Sequence, residues 1–440
     1  HRDLHLSIRR QRQMCIRDRI HTLHNYPAAL LNRDDAGLAK RLPYGDAIRT
    51  RISSQCLKRH WRMADDRFAL SNLNVPMAIR SRGFAEKVQE DLVATGVGAD
   101  IAQAIAGALR EALAKSPSAL LKKKPAKTKK AKGTKDDATI EVDEPADDAA
   151  DAAAAGDPTQ GQAILLGVKE FEHLKQIARQ VATSVTDVGK ARTALLEALV
   201  AQEKNLKAMA LNCGLESALF GRMVTSDVLA SRDASVYVAH AFTVHEAQVE
   251  NDYFTVVDDL KHEAGEQSSA GIFDTELASG LYYGYVVIDV PQLIANLEGE
   301  NVSSAKGGDW AKLKAEQREL AGRVVQHLMH LIATVSPGAK RGSTAPFEWA
   351  KLMLVEAGDW QPRSLAGAFQ NALVQDGQAA IRQTAVQRLG TELGQIDAAY
   401  GAPLARRFLS VDEASLPGAE RLPLAALAEW ARSAIVNAQA

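Results

Sequence analysis

The chain has 440 residues, 46% of them hydrophobic and 24% charged, with a formal net charge of −1 at pH 7. That balance belongs to an ordinary soluble globular protein with room for two or three domains or subdomains. It excludes capture of a nucleic acid by overall charge, so any such site must be local.

Three cysteines, Cys15, Cys56 and Cys213, lie too far apart for a disulfide framework or a zinc spacing and point to a reducing cytoplasm. No apolar run approaches the roughly 18–20 residues of a membrane-spanning helix, and no apolar signal-peptide core precedes a small-residue cleavage site. Residues 1–19, HRDLHLSIRRQRQMCIRDR, are arginine-rich and lack both strand and helix periodicity. Two readings stand, a basic arm on RNA and a non-native or disordered leader. The leader is the expectation, and the first strand is expected to start near Ile20.

The stretch Leu31–Arg62 holds eight Lys or Arg against three Asp, a local charge of about +5. Arg49 and Arg51 alternate with Ile48, Thr50 and Ile52, the period of a strand with one polar face. Ser53 and Ser54 are candidate helix caps. From Gln55 the period becomes helical, with Gln55, Lys58, Arg59 and Arg62 on one face and Leu57 and Trp61 on another. Such a unit offers N–H groups and guanidinium forks to one anion. A chain of phosphates is one ligand that fits; an ordinary exposed basic helix is the other reading.

Beyond Arg62, Phe84–Thr95 and Ile101–Ala114 read as amphipathic helices. A lysine block at 121–135 and an acidic, alanine-rich block at 136–157 cannot bury enough apolar surface, so 116–161 is expected to be a disordered insert without assigned function. Helices resume over Phe171–Ala182, Val188–Ala201 and Lys204–Met209. Gly221, Arg222 and Met223 then occupy a turn, where Met223 reads as a core filler. Ser235–Val244 is a predicted strand; the histidines on it and at its end, His240 and His245, sit five apart and face opposite ways, so a shared metal is not expected. From Ala247 to Ser279 the chain is polar, with Tyr253, Phe254 and Ile272 as its few apolar anchors. A surface loop and a projecting hairpin both fit. SGLYYGYVVIDVP at 279–291 is apolar on both alternating faces, the mark of a central strand.

Leu313–Val335 is a predicted long helix carrying His327 and His330, for which no third metal ligand is spaced suitably. PGAKRGSTAP at 337–346 lacks the spacing of a phosphate-binding loop; Lys340 and Arg341 are candidates for contact with RNA or a neighbouring subunit. Ser364–Val374 and Leu424–Ala438 are the last predicted helices. The residues alone support an α+β fold with an inserted helical subdomain.

Several of these blocks carry a resemblance. LNRDD, a glycine, then RxRISSQxLKRxxR is similar to the N-terminal signature of the CasC-type backbone subunit (Cas-seven group) of Cascade, the subtype I-E CRISPR surveillance complex. ALFGRMVTSD at 218–227, VAHAFTVHE and DYFTVVDDL within 238–260, SGLYYGY at 279–285 and PGAK at 337–340 follow in the family's order. The resemblance implies a ferredoxin-like, RNA-recognition-type palm (20–62, 231–246 and 280–440), helical fingers (63–230) and a hairpin-like thumb (247–279). It implies that Arg49, Arg51, Lys58, Arg59 and Arg62 bind guide-RNA phosphates, with Ser53 and Gln55 as hydrogen-bond donors. Arg33 and Lys40 would lie on a loop along the RNA, and Arg222 and Met223 against it where base stacking is interrupted. The implied partners are a CRISPR guide RNA, further copies of the chain arranged head to tail, the other Cascade subunits, and target DNA through the guide. Neither a membrane nor a cofactor is implied. The implied role is a scaffold; the rival reading is a target-RNA endoribonuclease using Asp34 and Asp35, with Asp258 and Asp259 also on paper. A third reading is a monomeric RNA-binding module.

Overall fold

The computed structural model describes residues 17–122, 163–208, 213–222, 231–257, 269–298, 313–374, 380–401 and 404–438. Its strands are β1 (Arg17–Ala29), β2 (Arg41–Tyr44), β3 (Ala47–Ile52), β4 (Ala78–Ser81), β5 (Ile164–Gly167), β6 (Val236–Val238), β7 (Ala241–Thr243), β8 (Gln248–Val257), β9 (Ser269–Asp289), β10 (Leu352–Ala357), β11 (Ala405–Ser410) and β12 (Ala419–Arg421). Ten of them form one sheet in the order β12-β11-β10-β1-β9-β7-β3-β2, with β6 and β8 also on β9. Every pairing is antiparallel except β11 with β12. Chain order through the centre is β1, the Ser54–Arg62 helix, β7, β9, the Ala315–Thr334 helix and β10, with spatial order β10-β1-β9-β7. That is a split βαββαβ unit.

β9 is central, as its two apolar faces require. Val286 and Ile288 join Ile20, Met353 and Val355 on one face, covered by helices Val290–Glu298, Ala315–Thr334 and Leu424–Val436 and by Trp61. Leu281 and Tyr283 join Leu23, Leu352, Leu354 and Phe408 on the other, against Phe369 and the Ile381–Tyr400 helix. A separate core unites helices Phe84–Ala94, Ala99–Ala114, Val168–Ser184 and Val188–Ala201.

Several boundaries move. β1 begins at Arg17, with Asp18 and Arg19 buried, so the last residues of the expected leader belong to the sheet. Pro117–Lys122 is a helical turn; residues 123–161 of the expected insert lie outside the described residues. The predicted 235–244 strand divides into β6 and β7. Val238 pairs with Val286 but Phe242 with Tyr283, a one-residue slip that a bulge at Ala239–His240 absorbs. Ser364–Val374 holds only the 3-10 turn Ala366–Phe369.

Histidines beneath the helices set an acid limit. Burial pushes His24 down to about 4, and burial does the same to His330, whose ring stacks on Phe68 with centroids 3.5 Å apart. Both rings stay neutral in the folded chain, so the unfolded chain protonates first and stability falls as pH drops from about 6.5 to about 4. Asp18, with neither carboxyl oxygen hydrogen-bonded, is pushed up to about 7 by burial and acts oppositely, losing stability as pH rises toward 7. These three groups alone leave a net loss of about 2 kcal/mol between pH 7 and pH 4.5, and His21 and His245, which burial also pushes down, add to it. Urea midpoints across that range measure it. His330→Gln should flatten the acid limb, and an unchanged limb would assign the titration elsewhere.

Candidate nucleic-acid interface

Three short pieces of chain meet at one edge of the sheet: the Asn32–Lys40 loop, the junction of β3 with the Ser54–Arg62 helix, and the bulge between β6 and β7. The loop is folded by its own side chains. Asp34 Oδ1 accepts the Ala36 N–H at 3.0 Å and the Leu38 N–H at 2.9 Å, and Gly37 takes the left-handed φ of 87° that the turn demands. Arg33 and Ala39 form a β-bridge that closes it. Asn32 Oδ1 accepts the Ser53 N–H at 2.8 Å, and the Arg51 N–H donates to the Lys40 carbonyl at 2.8 Å, so loop, strand and helix start are one hydrogen-bonded unit.

The helix forms as its period predicts. Ser53 is extended at φ −66°, ψ 149°, and its Oγ accepts the Cys56 N–H at 3.3 Å. Trp61 is buried against the sheet and Leu57 packs beside it. Gln55, Lys58, Arg59 and Arg62 line the other side, half-buried. Arg59 and Arg62 also lie in the last turn, where positive charge suits the helix dipole. The Lys58 ammonium sits 5.6 Å from the centroid of the Phe220 ring.

His240, weighed from the sequence only as a metal ligand, belongs here. Its Nδ1 accepts the Ser54 N–H and an Arg51 guanidinium N–H, each at 3.3 Å, which puts its own proton on Nε2. Asn32 is the other contributor that sequence reasoning missed. An exposed histidine at a strand bulge leaves no periodic signal. With the Ser54 and Cys56 N–H groups taken by His240 and Ser53, an anion at this helix depends chiefly on side chains.

Four of the expected RNA contacts are buried in this structure. Arg49 is fully buried: its guanidinium donates to the Thr243 carbonyl at 3.1 Å, the Phe369 carbonyl at 3.1 Å, the Gln370 carbonyl at 3.4 Å and Asp46 at 3.3 Å. It faces the turn that covers the sheet, while Ile48 is 47% exposed. Arg222 is buried too, donating to Glu170 at 2.7 and 3.0 Å, the Leu165 carbonyl at 3.2 Å and Cys213 Sγ at 3.1 Å. Burial alone would lower its pKa, but the Glu170 carboxylate raises it, so the guanidinium stays charged. Lys40 is buried under the loop, and the buried Ser53 hydroxyl serves as the cap. Arg33, Arg51, Gln55, Lys58, Arg59 and Arg62 remain at the surface edge. Met223, Asp258 and Asp259 lie outside the described residues.

His327 Nδ1 lies 3.0 Å from the Phe68 carbonyl, and His330 stacks on that same phenylalanine. Among the described residues no group of three or more His, Cys, Asp or Glu is placed to hold a metal. No described helix is long and apolar enough to cross a membrane.

Comparison with known proteins gives three findings. A family described as "CT1975-like protein" matches residues 19–432. A solved chain described as "CRISPR RNA-guided surveillance complex, pre-nicking" is 24% identical with a TM-score of 0.66, covering 95% of this chain and 100% of that one. Another, described as "CRISPR RNA-guided surveillance complex", is 21% identical with a TM-score of 0.59, covering 95% and 99%. At these identities the likeness is one of fold. No curated protein matches.

Proposed function

We propose that this chain, which belongs to the CT1975-like family, is a CRISPR RNA-binding backbone subunit of a Cascade-type surveillance complex, of subtype I-E by its motifs. The observation that carries the reading is the capped helix Ser54–Arg62. Trp61 fixes one side of it in the core, which leaves Gln55, Lys58, Arg59 and Arg62 along the other beside Arg51. Guanidinium and ammonium groups on a rigid helix hold phosphates without reading bases, as a scaffold for variable guides requires. Pairing between guide and target DNA then supplies the sequence specificity.

In this reading the sheet is the palm and the helices of 63–230 are the fingers. The β8–β9 hairpin, with Tyr253 63% exposed near its described end, is the thumb that reaches a neighbouring copy's RNA. Copies follow one another head to tail along a processed CRISPR RNA, and a contact that does not close on itself builds a helical filament. The other Cascade subunits cap and line that filament in the cytoplasm, where it serves antiviral defence. In this reading the role is structural, not catalytic, which is supported by Asp34 Oδ1 holding the turn of its own loop. Target-RNA cleavage lost in an Asp34→Ala/Asp35→Ala variant would replace this reading with the endoribonuclease one.

Two measurements test it. Mixed with a CRISPR RNA and its partner subunits, the chain should form multimeric particles that protect RNA in regular segments; one protein per RNA without periodic protection would leave only a simple binding module. With about three phosphates neutralised per subunit, log K against log salt should slope by about −2 per subunit. Lys58→Ala/Arg62→Ala should flatten that by roughly 1 to 1.4. An unchanged slope would remove this helix from the RNA.

A further inference from the structure

β1 leaves β9 at the Ala29–Ala278 pair, and from there outward β8 and β9 pair with each other. The first charged residue of β9 beyond that exit is Glu276, opposite Asn251 on β8 and only 7% exposed. A buried carboxylate at the root of a projection needs partners; one comes from the basic loop and the other from the first residue of β2. Oε1 accepts the Ala39 N–H at 2.8 Å, and Oε2 pairs with the Arg41 guanidinium. Ala39 is the residue whose bridge to Arg33 closes the loop, and Arg41 opens β2. Around the carboxylate, Leu30, Ala39 and Ala278 form a small buried cluster with Leu277 and Ala339. Thr275 beside it receives the Lys340 ammonium, which also lies 5.7 Å from the centroid of the Phe254 ring on β8.

We propose that Glu276 is a positioning residue for RNA binding: it latches the root of the β8–β9 hairpin to the Asn32–Lys40 loop, so that hairpin and basic edge hold one relative placement. The inference rests on the RNA-binding reading above and adds to it an internal coupling. Through Ala39 the latch fixes Arg33, and through Asn32 and the Lys40 carbonyl the same loop fixes Ser53 and Arg51. A ligand that needs both the hairpin and the basic edge then binds less tightly once they are uncoupled, although no group that touches it has been removed.

The test uses the full chain with its partner subunits and a CRISPR RNA. Glu276→Ala should weaken RNA binding about tenfold while leaving the salt slope unchanged, since no phosphate-binding cation is lost. Amide exchange at Ala39 and Lys40 should accelerate, with β1 and β10 unaffected. Glu276→Gln keeps the volume and an acceptor for Ala39 but loses the charge facing Arg41; it should fall between, and it carries the test if the alanine variant does not fold. A merely structural glutamate would lower the melting temperature and leave affinity unchanged well below it, which overturns the latch. Lys58→Ala/Arg62→Ala, measured alongside, separates the two failures. If that pair flattens the slope while Glu276→Ala and Glu276→Gln bind as the parent does, the latch alone is wrong. If none of these variants alters binding, the RNA-binding reading fails and the latch with it.

Discussion

Glu356→Ala is expected to cost about 3–5 kcal/mol of stability, enough to leave little folded protein. Glu356 is fully buried on β10, on the face that packs under the Ile381–Tyr400 helix. Arg406 Nε reaches Oε1 at 2.7 Å, Arg363 makes a two-pronged pair at 2.6 and 3.0 Å, and His21 Nε2 lies 3.3 Å from Oε2. Arg406, itself buried, carries on to Asp397 at 2.5 and 2.6 Å, while His21 continues to the Tyr283 hydroxyl at 2.9 Å. One carboxylate therefore joins β1, β9, β10 and β11. Its loss strands guanidinium charge inside the sheet, and that residual charge is the main cost. Burial alone would raise the Glu356 pKa, but the donors from His21 and Arg363 hold it well below the usual carboxylate range. A depressed folded pKa means that the stabilisation is complete above the unfolded value near 4.3 and is lost as pH falls below it. Urea denaturation of parent and Glu356→Gln should differ by several kcal/mol at pH 7, with the gap closing below about pH 4. A gap under about 1 kcal/mol at pH 7 would mean that solvent screens the cluster.

This cluster was invisible in the sequence, and the reason is physical. Glu356, Arg406 and His21 lie in three strands far apart in the chain, and a charged residue within a strand is ordinarily read as facing water. What was legible depended on local periodicity. The two apolar faces of Leu281–Ile288 placed β9 at the centre of the sheet. The four-residue spacing of Leu57 and Trp61 fixed which side of the basic helix is buried, and Ser53 marked its start. The Ile381–Tyr400 helix had no such signal: its apolar stripe is narrow, Ala385, Val386, Leu389 and Leu393, and Gly390 and Gly394 interrupt it. The burial of Arg222 was illegible for the same reason as that of Glu356. Its partner, Glu170, sits in the first turn of a helix 52 residues earlier.

Arg49 and Arg51 share one face of β3 and one apparent purpose, yet they should fail in opposite ways. Arg49→Ala is expected to lose about 3 kcal/mol, since the carbonyls of Thr243, Phe369 and Gln370 lose a charged donor inside the fold. Those carbonyls belong to β7 and to the turn that closes the Leu23–Phe369 core, so both should loosen together. Arg49→Lys should not rescue it, because a single ammonium cannot span the acceptors that a planar fork reaches. Arg51→Ala removes a half-buried side chain whose guanidinium donates to the exposed His240, so the folded state should change by less than about 1 kcal/mol. Its effect belongs on the RNA: weaker binding and a salt slope flatter by about 0.7, one phosphate contact for a single strand. Denaturant midpoints and salt-dependent binding, measured on both variants, give a two-by-two result. If Arg49→Ala folds like the parent and flattens the slope, the guanidinium must turn outward to a phosphate and the alternation of the strand reads as the bare sequence has it. If only Arg51→Ala flattens the slope, the basic edge begins at Arg51, and the arginine two residues earlier serves to hold that edge against the sheet.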